Sequence, residues 1–145
     1  MSMMKFWQIT LVVAVFALSA DAAGKTRVYR NARGRTTGTA TTRGRCTVYR
    51  DTYGRVRGTA TTFGRTTIYR NAHGQITGTR TVTKTSNGRS AVYRDKFGRI
   101  RKTATAFGSM TVYRDKFGRL IGTATRSRHG TTYRNARGRV RGTRR

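Results

Sequence analysis

The sequence predicts an all-β protein made of six β-hairpin repeats, each about 20 residues long. The first observation is a tyrosine that recurs at spacings of 20, 20, 24, 20 and 20 residues, at Tyr29, Tyr49, Tyr69, Tyr93, Tyr113 and Tyr133. The second is a turn signature after each tyrosine. The third is the composition of the flanking segments, which are rich in Thr, Val and Ile and contain no proline.

The first 22 residues differ from the repeats. Lys5 precedes an apolar run from Phe6 to about Ala20, and Ala20-Asp21-Ala22 fits an A-x-A cleavage site. This pattern predicts a signal peptide at residues 1–22, followed by a six-repeat domain at residues 23–145. The run is shorter than the roughly 20 apolar residues of a membrane-spanning helix. We therefore expect a secreted, periplasmic or cell-surface protein.

In every repeat, one predicted turn closely follows the tyrosine. It begins with Asn or Asp, at Asn31, Asp51, Asn71, Asp95, Asp115 and Asn135, and glycine follows three residues later, at Gly34, Gly54, Gly74, Gly98, Gly118 and Gly138. This signature favours a type I turn, because the short side chain caps the backbone and glycine accepts a left-handed conformation. All three acids after residue 22 occupy this position, and Asn fills it equally often. The position therefore requires a turn former and not a catalytic carboxylate.

A left-handed glycine after a type I turn predicts a bulge in the hairpin. In the fifth repeat the predicted pairs are Asp115 with Arg119, Arg114 with Leu120, and Val112 with Gly122. In this register the Val or Ile that precedes five of the six tyrosines shares one face with the alanine of Thr-Ala-Thr. The tyrosine and the threonines share the other face. The aliphatic and alanine side chains are then expected to form the core.

The hairpins are expected to stack as an open sheet or a solenoid. Leu, Ile, Val and Phe account for only 16 of the 123 residues after position 22, and the chain carries a net charge of +28. That composition also fits an alternative in which the chain stays largely disordered until it binds a partner. The agreement between spacing, alternation and turn chemistry favours the ordered array.

The repeat text, (T/S)-x-Y-R-[DN]-x-x-G-R-x-x-G-T-A-T, resembles that of short secreted bacterial repeat proteins. Its hairpin pattern is similar in kind to tyrosine-aspartate (YD) and MORN repeats. The resemblance covers residues 27–145 and implies a β-hairpin array. Here an arginine separates tyrosine from aspartate, as in Tyr113-Arg114-Asp115, so no activity is carried over.

Residue types that support catalysis are scarce. After residue 22 the chain has two histidines, His73 and His129, one cysteine, Cys46, and no glutamate. No paired carboxylates, nucleophile–base set or metal-ligand spacing is present in the sequence. We therefore predict a protein that is not an enzyme and that uses no cofactor and no metal.

Arginine is the most prominent candidate for binding. A first arginine follows each tyrosine, at Arg30, Arg50, Arg70, Arg94, Arg114 and Arg134, and a second follows most turn glycines, at Arg35, Arg55, Arg99, Arg119 and Arg139. The repeat tyrosines, with Tyr53, Phe63, Phe97, Phe107 and Phe117, are expected to interleave rings with these guanidinium groups. Guanidinium binds phosphate and carboxylate through a planar fork, and rings add stacking. Arg114 has no acid opposite it in the predicted register and is the leading candidate for partner contact.

The predicted function is binding of a polyanion through arginine and aromatic rows. The expected partners are lipopolysaccharide, teichoic acid, acidic polysaccharide or extracellular DNA. A second hypothesis is a structural or matrix protein of the cell surface that self-associates through open strand edges. A third is an ice-type binder that uses threonine pairs at Thr39/Thr41, Thr59/Thr61, Thr79/Thr81, Thr103/Thr105 and Thr123/Thr125.

Overall fold

The structure is a computed structural model that describes residues 24–145, so the predicted signal peptide at residues 1–22 lies outside the described residues. The described chain is all-β and its elements are twelve strands. They are β1 (Lys25–Asn31), β2 (Thr36–Arg43), β3 (Cys46–Arg50), β4 (Val56–Phe63), β5 (Thr66–Asn71), β6 (Ile76–Thr85), β7 (Gly88–Asp95), β8 (Ile100–Phe107), β9 (Met110–Asp115), β10 (Leu120–Ser127), β11 (Gly130–Asn135) and β12 (Val140–Arg144).

The strands form one closed antiparallel barrel in which each strand pairs with its neighbours in sequence. Closure is made by β1 and β12, where Tyr29 pairs with Arg144 and Asn31 pairs with Gly142. The expected open sheet or solenoid is therefore wrong in architecture, although the six hairpins are confirmed. Closure satisfies the backbone N–H and C=O groups that an open array leaves at its two edges.

Each hairpin contains two irregularities where one was predicted. In the fifth, the backbone N–H of Asp115 donates to the carbonyl of Arg119 at 2.9 Å, and Arg114 pairs with Leu120, as expected. The register then shifts again before Gly122, which pairs with Tyr113 and not with Val112. A shift of one residue moves every later side chain to the other face of the sheet.

The second irregularity reverses the predicted faces. Tyrosine and alanine point into the barrel interior together: Tyr113, for example, pairs with Ala104 on the preceding strand, and both are buried. Val112 faces outward beside Thr105 and Thr123. The prediction that aliphatic residues and alanine form the core is therefore wrong, because the core consists mainly of tyrosine and alanine.

A glycine lies opposite the tyrosine in five of the six hairpins, at Gly38, Gly58, Gly78, Gly122 and Gly142. A Cβ built on Gly58 would collide with the backbone carbonyl of Arg70 on the next strand. The other four glycines meet the corresponding carbonyl in the same way. Glycine at this position therefore permits close approach of neighbouring strands beside the bulky interior tyrosines.

The barrel has two different ends, because consecutive turns alternate between them. All six turns that begin with Asn or Asp lie at one end, which we name the Asx end. The connections β2–β3, β4–β5, β6–β7, β8–β9 and β10–β11 lie at the opposite end. Within residues 24–145, no helix is long and apolar enough to cross a membrane.

Candidate polyanion-binding surface

Each turn of the Asx end is held by the same backbone bonds. In the turn of Asn31, the backbone N–H of Gly34 donates to the carbonyl of Asn31 at 3.0 Å, and the N–H of Asn31 donates to the carbonyl of Arg35 at 2.9 Å. The glycines adopt positive φ, such as 77° at Gly34, as the type I turn with its bulge requires. The predicted turn chemistry is therefore confirmed in all six repeats.

The Asp and Asn side chains are used by these turns. Oδ1 of Asp115 accepts the backbone N–H groups of Phe117 at 2.8 Å and Arg119 at 2.9 Å. Desolvation raises the pKa of Asp115, but the backbone hydrogen bonds from Arg119 and Phe117 outweigh it, so the pKa is lowered. Asn31, Asp51, Asn71, Asp95 and Asn135 accept the equivalent pair of bonds.

The first arginine of each repeat braces its own turn. Nη1 of Arg114 donates to the carbonyl oxygen of Gly118 at 2.9 Å. Arg30, Arg50, Arg70, Arg94 and Arg134 make the same bond to their turn glycines at 3.0–3.1 Å. Arg114 has no acid opposite it, as predicted, since it pairs with Leu120, but its guanidinium also serves its own turn, which the sequence did not indicate. A guanidinium carries five N–H donors, so an exposed arginine that braces a turn can still offer others to a ligand.

The second arginine of a repeat follows the turn glycine, and its side chain can contact the Asp or Asn side chain of the same turn. Arg119 Nε is 3.1 Å from Asp115 Oδ2, which confirms the predicted pairing of these two residues. In the third repeat, where glutamine replaces the arginine, Asn71 Nδ2 donates to Gln75 Oε1 at 2.9 Å. In these two repeats the second position contacts the Asx side chain, in one as a cation and in the other as an amide.

Three aromatic rings project from the Asx end. Tyr53, Phe97 and Phe117 are 84%, 72% and 68% exposed, respectively. In each of these three repeats the second arginine lies over the ring. The distances from Cζ to the ring centroid are 5.8 Å for Arg55 and Tyr53, 5.7 Å for Arg99 and Phe97, and 5.1 Å for Arg119 and Phe117. Lys96 and Lys116 approach the rings of Phe97 and Phe117 at 4.9 and 4.7 Å. The predicted interleaving of rings and cations is therefore confirmed for these three hairpins.

The other predicted aromatic residues lie elsewhere. Phe63 and Phe107 are exposed at the opposite end of the barrel. The six repeat tyrosines, assigned by the sequence to the binding rows, lie inside the barrel, where Tyr49 and Tyr133 are partly buried and the others buried. Burial raises the pKa of Tyr29 to about 12 and also raises the pKa of the other five. These tyrosines are core residues and do not present their rings to an external partner.

Sequence reasoning missed the cations of the interior. Arg80 and Lys102 are only 5% and 9% exposed. Arg80 stands where four repeats have alanine, and Lys102 stands where five repeats have glycine. Lys102 Nζ lies 4.6 Å from the ring centroid of Tyr93, and burial followed by repulsion from Arg101 lowers its pKa to about 8. The sequence signal for these residues is their departure from the repeat consensus, in which alanine or glycine occupies the same positions.

A second interior arginine lies across the barrel from the first. Arg144 occupies the alanine position of the sixth repeat, and β12 is separated from β6 by half of the twelve-strand ring. Its Nη2 donates to Thr131 Oγ1 at 3.2 Å. Burial, and then Arg144, lower the pKa of Arg27, which also faces the interior. The interior is therefore cationic and aromatic.

The Asx end carries most of the charge. Eighteen arginines and lysines and three aspartates lie in its six hairpin segments, residues 30–37, 50–57, 70–77, 94–101, 114–121 and 134–141. Eleven of the eighteen cations belong to the last three hairpins, whereas the third hairpin contributes one, Arg70. The result is a ring of positive charge that is densest over one half of its circumference.

Residues 24–145 contain few groups that could form another kind of site. This range has no cluster of three or more His, Cys, Asp or Glu residues that could hold a metal ion. Cys46 is exposed and is not in a disulfide. His73 lies in an Asx turn, where its backbone N–H donates to Asn71 Oδ1 at 3.0 Å. Comparison with protein-family models, curated proteins and solved structures gave no match.

Proposed function

We propose that this protein binds polyanions outside the cytoplasm through the Asx end of its barrel. The observation that carries the proposal is the ring of eighteen cations with three exposed aromatic rings among them. The three aspartates of the ring direct Oδ1 at their own turns, so they compete little with an external anion. The proposed partners are phosphate-bearing envelope polymers, acidic polysaccharides or extracellular DNA.

The arrangement suits a long anion better than a small one. Cations on neighbouring hairpins follow the barrel circumference, and strands about 4.8 Å apart place consecutive hairpins roughly 10 Å apart. A polymer that follows this ring neutralises several charges in succession and releases their counterions. The exposed rings of Tyr53, Phe97 and Phe117 add stacking against sugars or bases. The proposed activity is therefore binding and not catalysis.

Two other functions have less support. Self-assembly through strand edges needs an unpaired edge, whereas every one of the twelve described strands pairs on both sides. An ice-type surface needs a flat threonine array, whereas the outward threonines, such as Thr39 and Thr59, follow the curve of the barrel. Thermal hysteresis in a solution of the protein would favour ice binding over polyanion binding.

The test compares two variants that each lose four positive charges. The Asx-end variant is R99Q/R101Q/R139Q/R141Q, and the control is R43Q/R45Q/R126Q/R128Q at the opposite end. Affinity for duplex DNA and for heparin is measured at several salt concentrations. For DNA we expect the Asx-end variant to flatten the slope of log K against log salt by about 3 to 4 and the control by about 1 or less.

Circular dichroism of both variants checks that the barrel is retained. Equal weakening by the two variants would show that affinity follows net charge, and would contradict a specific role for the Asx end. Affinity of the unaltered protein that does not change with salt would contradict polyanion binding itself.

A further inference from the structure

The hairpin of β6 and β7 is longer than its counterparts. The third repeat has four extra residues, and pairing continues from Val82 with Ala91 through Lys84 with Arg89 to Thr85 with Gly88. The equivalent hairpins β2–β3 and β4–β5 end at the pairs Arg43–Cys46 and Phe63–Thr66. The long hairpin therefore extends beyond its neighbours at the opposite end of the barrel.

The extension has an interior side. Side chains alternate along a strand, so Val82 and Lys84 point to the same side as the buried Arg80. Arg89 likewise points to the same side as Ala91 on β7. The extended part of the hairpin thus places two cations, Lys84 and Arg89, above the barrel interior.

A pocket of about 260 Å³ lies between this hairpin and the β4–β5 turn. Its lining residues are Gly64, Arg65, Val82, Lys84 and Arg89. The two elements are joined by a backbone bond from Val82 N–H to the Arg65 carbonyl at 2.9 Å. Val82 is 7% exposed and contributes apolar surface to the wall, and the other large side chains are two arginines and a lysine.

No acid among the described residues lies near this pocket. Asp51, Asp95 and Asp115 bind their own turns at the Asx end, which is the other end of the barrel. Three cations without a neighbouring carboxylate favour an anion with about two negative charges, and arginine and lysine both bind phosphate. Val82 and the aliphatic stems of the cations offer contact to an apolar group.

We propose that this pocket binds a small phosphate monoester whose organic part is a single apolar ring. Its volume is below the range of about 300–1,000 Å³ typical of sites for drug-sized ligands. That size favours one ring with one phosphate over a nucleotide or a polymer. The phosphate contacts Arg65, Lys84 and Arg89, and the ring packs on Val82. This site is separate from the Asx end and does not depend on the function proposed for that end.

The experiment measures binding of phenyl phosphate, inorganic phosphate and phenol to the purified protein by calorimetry. We expect phenyl phosphate to bind at least about tenfold more tightly than inorganic phosphate, because burying a ring contributes more than the 1.4 kcal/mol that a factor of ten represents. Phenol is expected to bind least, because it lacks the anion. Equal affinity for phenyl phosphate and inorganic phosphate would overturn the proposal.

Two variants test the location of the site. K84Q/R89Q should weaken phenyl phosphate binding at least about tenfold, because each lost contact to a charged ligand is worth more than 1 kcal/mol. The matched control R126Q/R128Q removes two cations from the β10–β11 hairpin at the same end and should change affinity less than about threefold. Equal losses in these two variants would overturn the proposal, as would no loss in K84Q/R89Q.

A deletion supplies an independent test that retains a known turn type. Removal of residues 84–87 leaves Thr83-Gly88-Arg89-Ser90, which matches the Gly-Arg turn at Arg43-Gly44-Arg45-Cys46. Thr83 and Ser90 already pair, so the shortened hairpin keeps its register. Phenyl phosphate binding should be lost while circular dichroism shows that the barrel is retained. Retention of phenyl phosphate binding by the folded deletion variant would overturn the assignment of the pocket.

Discussion

The two ends of the barrel solve the same problem, the reversal of a β-strand, in different ways. At the Asx end, all six turns use a side-chain cap, a left-handed glycine and a bracing arginine. At the opposite end, Gly44, Gly64 and Gly108 open two-residue turns with φ near 55°, while the connections that include Gly88 and Gly130 differ in length or sequence. Sequence is repeated where several side chains cooperate, and it varies where the turn needs only a compatible backbone.

This contrast also separates the two proposed sites. The Asx end presents nearly the same hairpin six times, which suits a repetitive polymer. The opposite end contains one long hairpin, and a pocket lies between that hairpin and the β4–β5 turn. The six similar hairpins are therefore proposed to bind a polymer, and the one hairpin that differs in length is proposed to bind a small ligand.

The largest expected effect comes from a glycine near the Asx end. Gly58→Ala should lower the free energy of unfolding by about 3 kcal/mol, because the added Cβ collides with the carbonyl of Arg70 on the next strand. At the opposite end, a Cβ added by Gly64→Ala meets nothing within 4 Å. This variant should lower the free energy of unfolding by only about 1 kcal/mol, because alanine is strained at a φ of 54°. Urea denaturation of the two variants measures the difference. Equal losses would contradict the close strand approach at Gly58.

The charged and titratable side chains of the barrel interior should change the free energy of unfolding by about as much, and this change should depend on pH. The pKa of Lys102 is lowered from 10.5 to about 8, so the unfolded chain binds more protons between these values and stability rises with pH across that window. The interior tyrosines have raised pKa values, so stability that is present below pH 10 is lost above it. We expect maximal stability near pH 9 to 10.

Lys102→Met isolates the contribution of the lysine. At pH 7 the variant should be more stable than the unaltered protein by about 3 kcal/mol, and the advantage should disappear as pH approaches 10. Urea midpoints measured from pH 7 to pH 10 provide the two curves. Parallel curves over this range would contradict a buried lysine with a lowered pKa.

A smaller loss of stability is expected when one asparagine at each end of the barrel is replaced by alanine. Asn135→Ala removes the cap that accepts the N–H groups of Arg137 at 3.0 Å and Arg139 at 2.9 Å, and should cost about 1 kcal/mol. Asn87→Ala in the β6–β7 turn should cost less than about 0.5 kcal/mol. Thermal unfolding followed by circular dichroism compares the two. A larger loss at Asn87 would contradict the distinction between the ends.

Much of the local structure could be predicted from short-range chemistry. The positions of Asp115 and Gly118 predict the turn and its first bulge, because both depend on groups only a few residues apart. The pairing of Arg119 with Asp115 follows from the same turn. The role of Arg114 was missed because its bond is made to the carbonyl oxygen of Gly118, and residue identity carries no information about which backbone groups need a donor.

The face of the tyrosines could not be derived in the same way. Ile121, an ordinary strand residue, is the one skipped between Leu120 and Gly122, and nothing in its side chain marks a second bulge. That one shift takes Tyr113 from the expected binding surface into the core and leaves Val112 outside. It also explains why Gly122 recurs in the repeat, because a Cβ there would collide with the Arg134 carbonyl on the next strand.

The sequence by itself determined the six hairpins, their turns and their positive charge, because each depends on residues that are close along the chain. Only the tertiary structure decided that the array closes, that tyrosine and alanine fill it, and that Arg80, Lys102 and Arg144 lie inside. Closure depends on the pairing of β1 with β12, more than one hundred residues apart, and on twist accumulated over all six hairpins. No single repeat contains that information.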